Sequence, residues 1–220
     1  MSGLPSFIAD ALGREPRDTK MFERALTHGS HGRETYERLE FLGDRVLGLI
    51  VASWLYERFP SEPEGKMSRR YNVLVARETC AEIGRALDLP RHIKLGKQAR
   101  DDQANMSDNV VGDVVEAVIG AIYLDGGLVD AEAFVRSNWA QFLDGQRKAP
   151  EHPKSALQEL AAEKKLGVPL YELLTRFGPH HAPRFRVKVG LGRHGEAEAE
   201  GDSKQEAETA AAAALLEKLR

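Results

Sequence analysis

Cysteine is nearly absent: the 220 residues contain one, Cys80. That excludes an internal disulfide framework and any cysteine-rich zinc site. Cys80 falls in the helical-looking segment VARETCAEIGRAL and reads as packing. Long apolar runs are missing too, and nothing approaches the ~20 residues that a membrane-spanning helix needs. The opening stretch, MSGLPSFIADALGREP, has no basic region followed by an apolar core, so no secretion signal is expected. Nor is there an excess of positive charge. A net charge of −3 and a pI near 6.2 argue, taken alone, against nucleic-acid binding. No Glu-x-x-His pair occurs, which argues against a di-iron bundle. A cytoplasmic protein of bacterial type is expected, with no membrane association and no organic cofactor.

What is present is ordinary in amount and informative in placement. Hydrophobic residues make up 42% and charged residues 30%, as in a globular protein of one or two domains. From Asp18 to about Phe142 apolar residues recur at spacings of three and four: Phe22, Ala25, Leu26; Val46, Leu49, Ile50; Val115, Val118, Ile119, Ile122. Gly and Pro punctuate them in FPSEPEG, DLP and LDGG. This pattern predicts a compact all-α domain over residues 1–145. LDGQRKAPEHPKS is polar and proline-containing and reads as a linker, placed at 146–152.

Residues 153–220 follow a different pattern. SALQELAAEKKL reads as a helix. PLYELLTRFG, PRFRVKVGLG and GEAEAEG read as strands, with FRVKV alternating. DSKQEAETAAAAALLEKL reads as an alanine-rich helix capped by Asp202 or Ser203. The order α-β-β-β-α makes an α+β unit. This segment holds 11 Lys+Arg and 10 Asp+Glu. Contact with phosphate must therefore come from local placement of charge, or from metal ions held by acids.

The segment ERLEFLGDRVLG, residues 37–48, carries three carboxylates among apolar residues. On a helix at ~100° per residue, Glu37, Glu40 and Asp44 share an arc of roughly 60°. Leu39, Leu42, Val46, Leu49 and Ile50 take the opposite side as a core face. DVVEAVIGAIYL repeats the design, with Asp113 and Glu116 at i,i+3 and Gly120 on the same stripe. That helix is apolar enough to be largely buried, where an unpaired carboxylate is costly. Something cationic belongs between the stripes. Arginines nearby in sequence, Arg38, Arg45, Arg69 and Arg70, are one source. Converging oxygen ligands would instead suit Mg²⁺ or Mn²⁺, which most often act on phosphate esters.

YERLEFLGDRVLG resembles the signature segment of bacterial ribonuclease III, the double-strand-specific RNA endonuclease. ALTHGS (25–30), GKMSRRYNVLV (65–75) and GDVVEAVIGAIYLDGG (112–127) resemble the family's other landmarks, in the same order. The resemblance implies metal-binding carboxylates at Glu37, Glu40, Asp44, Asp113 and Glu116. Glu40 and Glu116 would lie closest to the catalytic ion, Asp113 and Asp44 beside them, and Glu37 nearer the RNA or a second ion; Asp44 and Glu116 take the catalytic roles. Two positions depart from the family. Arg45 stands where a small residue is usual, and Tyr71 where an arginine is frequent. His28, Trp54 and Trp139 read as structural, and GLGRHG as a turn rather than a phosphate loop.

LQELAAEKK, YELLTRFGPHHAPRFRVKV and GDSKQEAETAAAAAL resemble the double-stranded RNA-binding domain. A-form RNA offers a shallow minor groove lined with 2′-hydroxyls, flanked by phosphates across the major groove. Gln158 and Glu159 suit hydroxyls and base edges, and His181 suits a neighbouring minor groove. Ser203 and Lys204 open a helix whose N-terminus favours phosphate. Gln205 stands where a second basic residue is common, which lowers the local charge, and Lys154 is a candidate to compensate.

Together the resemblances imply a homodimeric, Mg²⁺-dependent endonuclease for double-stranded RNA, with Mn²⁺ able to substitute. Phe41 would serve as an interface aromatic. Products would carry 5′-phosphate and 3′-hydroxyl ends with short 3′ overhangs, and substrates would include ribosomal RNA precursors and structured messenger RNAs. A binding factor that presents RNA without cutting it is the alternative of a different class. A phosphohydrolase for small substrates would leave the RNA-binding module without a task.

Overall fold

The structure is a computed structural model that describes residues 8–9, 12–146, 152–179 and 182–219. It divides into two compact units, Met1–Pro150 and Glu151–Arg220.

The first unit is helical. α1 (Thr19–Ala25) starts at Asp18, whose carboxylate accepts from the Lys20 and Met21 amides at 3.0 and 3.3 Å. α2 spans Glu37–Arg58, α3 Glu64–Leu74 and α4 Arg77–Ala86. A short 3₁₀ turn, Leu89–Arg91, and α5 (Lys97–Asp101) lead to the long α6, Asp108–Gly145. α6 is central. Val111, Val114, Val115, Ala117, Val118, Ile119, Ala121 and Ile122 are all fully buried, so this stretch is enclosed on every side except the stripe of Asp113 and Glu116.

The LDGG punctuation becomes a kink within α6 rather than a loop. Gly127 takes φ +82°, ψ −171°, a conformation that needs glycine. Asp125 anchors the kink. It accepts from Arg14 at 2.7 Å and from the Arg17 and Asp18 amides at 2.8 and 3.1 Å. These three bonds hold its carboxyl below the usual range against the upward push of burial.

Two large side chains close the core. The Trp139 indole is buried and donates to the Leu74 carbonyl at 2.8 Å. Arg70 is buried too. Its guanidinium bonds Glu62 through two nitrogens at 2.8 Å each, donates to the Gln146 carbonyl, and lies 3.9 Å over the Phe59 ring. Arg70 thus pairs with Glu62 and not with the acidic stripes.

The core face of α2 differs in one respect from the helical-wheel expectation. Leu39, Val46, Leu47, Ile50 and Val51 are buried, but Leu49 is 56% exposed. Periodicity separates apolar from charged faces; it does not tell a core face from an apolar outer face.

The second unit is α+β. α7 (Pro153–Glu163) begins with proline in its first turn, where the missing N–H costs nothing. β1 (Leu170–Phe177), β2 (Arg184–Gly190) and β3 (Glu196–Gly201) form an antiparallel sheet in that order. Val187 pairs with Ala199 and Val189 with Ala197. A register irregularity interrupts β1 between Leu173 and Thr175. GLGRHG is a turn, with Gly192 and Gly195 at positive φ.

α8 (Lys204–Leu219) opens on Ser203, whose hydroxyl accepts from the Glu206 amide at 3.1 Å. The Glu206 carboxylate in turn accepts from the Asp202 amide at 2.9 Å, close to a capping-box arrangement. The alanines of α8 bring it near the sheet. Leu157, Ala161, Val189, Leu191, Ala211, Ala212 and Leu215 make its core. The fold is the expected one: an all-α domain, then an α-β-β-β-α unit.

Candidate active site

The two acidic helices cross with no side chain between them. A Cβ on Gly43 would overlap the Glu116 carbonyl, and one on Gly120 would overlap the Leu39 carbonyl. Glu40 precedes Gly43 by one turn, and Glu116 precedes Gly120 by one turn. The crossing therefore carries Glu40, Asp113 and Glu116 into one another's field.

Electrostatics reflect this. Glu116 is half-buried, and its carboxyl is pushed up to about 7, first by desolvation, then by Asp113 and Glu40. Glu40 is raised by burial, Asp113 and Glu37. Asp113 is raised by burial, although the Tyr36 hydroxyl, which donates to it at 3.3 Å, opposes the shift. The Tyr36 phenol itself is pushed far above its ordinary value by burial and the three acids around it. Cys80, buried within reach of Glu116, is pushed up to about 12, first by desolvation. It is inert packing, as expected.

Among the described residues, three basic groups oppose this charge, His28 among them, which lowers Asp113. Arg77, at the start of α4, lowers Glu40, Asp113 and Glu116, and Arg45 lowers Glu116. Arg77 escaped sequence reasoning, because only the fold brings the start of α4 against α6. Its position two residues after the GKMSRRYNVLV segment was the available signal.

Asp44 is at the exposed rim. It forms an ion pair with Arg45, whose guanidinium stacks 4.8 Å over the exposed Phe41 ring. Glu37 extends over the ALTHGS loop, where a Cβ on Gly29 would lie 3.1 Å from its Oε1. Glu37, Arg38, Phe41 and Leu42 also line an open apolar groove of about 600 Å³. His28 holds that loop: its Nδ1 lies 2.8 Å from the Ser30 hydroxyl and accepts from the Ser30 amide at 3.1 Å. Tyr71 fills the place a Cβ on Gly48 would need, with its hydroxyl 2.6 Å away.

Among the described residues, no three His, Cys, Asp or Glu side chains converge closely enough to hold a metal ion as they stand. Asp44 is turned to Arg45 and Asp113 to Tyr36. Like charges at close range favour such splaying. The donor set nevertheless fits a hard cation by type, all carboxylate oxygen, and by charge, since burial raises all three acids and Asp113 raises Glu40 and Glu116 further, a cost that a cation would relieve.

In the second unit, Gln158 and Glu159 are exposed on α7. The Lys154 ammonium lies 2.6 Å from Glu208, and the Lys204 ammonium 3.8 Å from the other oxygen of the same carboxylate. The Ser203 hydroxyl is engaged as the α8 cap. His181, like His180, lies outside the described residues.

The profile of a family described as Ribonuclease-III-like matches residues 18–143, and that of the double-stranded RNA binding motif matches residues 153–219. A relative from Zymomonas mobilis, "Ribonuclease 3", is 56% identical over 97% of this chain and 87% of its own. The chain belongs to the ribonuclease III family. Its fold agrees: the crystal structure of the nuclease domain of the Campylobacter jejuni ribonuclease III has a TM-score of 0.60 at 31% identity, covering 64% of this chain and 97% of that one. A second structure of that domain, described as showing flexibility in a region involved in dimer formation, has a TM-score of 0.57 at 31% identity, covering 60% and 96%. A ribonuclease III nuclease domain followed by a double-stranded RNA-binding domain makes this chain a double-strand-specific endoribonuclease. Among its described residues, no helix is long and apolar enough to cross a membrane.

Proposed function

We propose that this ribonuclease III cuts duplex RNA with Mg²⁺ bound, Mn²⁺ substituting, and leaves 5′-phosphate and 3′-hydroxyl ends with short 3′ overhangs. The nuclease domain is 1–145, the linker 146–152 and the RNA-binding domain 153–220. The observation that carries the metal reading is the close Gly43–Gly120 crossing, which gathers Glu40, Asp113 and Glu116 as part-buried carboxylates, Asp113 acting on both glutamates.

Glu40, Asp113 and Glu116 would hold the ion. When bound, it supplies an activated water and steadies the leaving oxygen. Tyr36 holds Asp113 in orientation through its hydroxyl. Glu116, whose carboxyl is pushed up to about 7, would give up its proton to act as a ligand. Asp44 acts at the rim with Glu116, and Glu37 contacts the RNA side. On the second domain, Gln158, Glu159 and His181 take the minor grooves, while Ser203, Lys204 and Lys154 take the phosphates.

The protein works as a homodimer in the cytoplasm, processing ribosomal RNA precursors and structured messenger RNAs. The outer side of α2 supports dimerisation. Phe41 and Leu49 are 66% and 56% exposed, and an apolar surface of this kind marks an interaction site.

The decisive experiment is cleavage of a labelled RNA hairpin in Mg²⁺, with Ca²⁺ as a control, by the native chain and Glu116→Ala. Cutting by the native chain alone, with binding kept in the variant, supports the metal-nuclease reading. Binding without cutting by the native chain in Mg²⁺ and Mn²⁺ overturns it in favour of an RNA-presenting factor.

A further inference from the structure

One carboxylate engages both lysines assigned above to RNA phosphate. Lys154, in the first turn of α7, meets Glu208 Oε2 at 2.6 Å; Lys204, in the first turn of α8, lies 3.8 Å from Oε1. The Glu208 side chain is only 16% exposed, so it is held between its partners rather than waving in solvent. Lys154 is further confined from below, its ammonium 4.7 Å over the Tyr171 ring of β1. The neighbours of Lys204 in sequence add negative charge: Asp202 and Glu206 flank it, with Gln205 between.

We propose that Glu208 is an internal counter-anion that sets the affinity and salt dependence of this domain for duplex RNA. The proposal rests on the reading that Lys154 and Lys204 face phosphate. A lysine already neutralised by a carboxylate gathers fewer RNA counterions to release, and counterion release drives the salt-dependent part of nucleic-acid binding. A phosphate approaching α8 must compete with Glu208 for Lys204, whose longer and more exposed contact yields first. Lys154, on the shorter contact, yields last. The domain thus presents about one effective charge where its sequence offers two.

The test is duplex RNA binding by the full chain in EDTA, where no divalent ion supports cutting, across a series of KCl concentrations. Native protein, Glu208→Gln, Glu208→Asp, Lys204→Ala and Lys154→Ala are compared. Glu208→Gln is expected to tighten binding about three- to tenfold at low salt and to steepen the slope of log affinity against log salt by about one. Glu208→Asp, which keeps the charge, is expected to keep the native slope. An unchanged slope in Glu208→Gln with equal or weaker binding overturns the proposal and makes Glu208 a tie between α7 and α8. Native affinity in both lysine variants overturns the underlying reading instead, by removing these lysines from the RNA surface.

Discussion

Gly43 of α2 and Gly120 of α6 face each other across a backbone contact so close that neither position has room for a methyl group. Everything that follows at the site depends on this crossing, because Glu40 and Glu116 sit one turn before these two glycines.

Gly43→Ala and Gly120→Ala should each destabilise the chain by about 3 kcal/mol or more, since the added carbon meets backbone that cannot move aside. Gly65→Ala in α3, where nothing lies within 4 Å, is the control and should leave stability unchanged or slightly raised. Urea denaturation of the three variants reads this directly. A mild effect at Gly43 would mean that the helices cross farther apart.

The Glu116 carboxyl stands at about 7 in the folded chain against 4.5 unperturbed. The native state therefore binds more protons than the unfolded state between these values. Without divalent ions, stability should fall as pH rises through this window, with Glu116 contributing about 2 kcal/mol to the fall. Glu116→Gln should flatten that part of the profile and be the more stable protein at pH 8. Thermal melts in EDTA from pH 4.5 to pH 8 test the sign.

The same proton competes with the metal ion. At subsaturating Mg²⁺, cleavage should decline as pH drops through about 7. A tenfold increase in Mg²⁺ should move that limb lower by up to about one pH unit. Rates measured at two Mg²⁺ concentrations across pH 5.5–8.5 would show it. A limb that ignores Mg²⁺ would assign the titration to a group outside the site.

The fold and the acids were legible because they rest on local rules. Helical spacing put Glu40 with Asp44, and Asp113 with Glu116; alternation and turn residues marked the three strands. Roles that depend on tertiary contact were not legible. Arg77 joins the acids only because α4 packs on α6. Glu208 reads as one more surface glutamate until α7 delivers Lys154 to it. Tyr71 stands where the family often has an arginine; in the fold it packs where Gly48 leaves space.

Among the described residues Arg70 is the buried cation of the first unit, and the fold depends on it. It bonds Glu62 and the Gln146 carbonyl, with Phe59 beneath, and its own side chain is only 2% exposed. Arg70→Met should destabilise by about 2–4 kcal/mol, because it removes the bonds to the part-exposed Glu62 carboxylate and leaves the Gln146 carbonyl without this donor. The Glu62→Gln, Arg70→Met pair should recover part of the loss. Chemical denaturation of the single and double variants separates charge from packing.

Arg45 tests how the rim of the site is tuned. It is 62% exposed, pairs with an Asp44 that is itself 42% exposed, and leans on Phe41. A pair this exposed is worth about 0.5–1 kcal/mol, so removing it should free Asp44 by a modest factor. Arg45→Ser is expected to lower the Mg²⁺ concentration for half-maximal cleavage about two- to fivefold, with duplex RNA affinity unchanged. Arg45→Lys, which keeps the charge and loses the planar stack, should fall between. If Arg45→Ser instead weakens RNA binding and leaves the Mg²⁺ dependence alone, the guanidinium leaves Asp44 when RNA arrives and meets a phosphate. The Mg²⁺ titration and the binding isotherm, taken on the same preparation, separate these two roles.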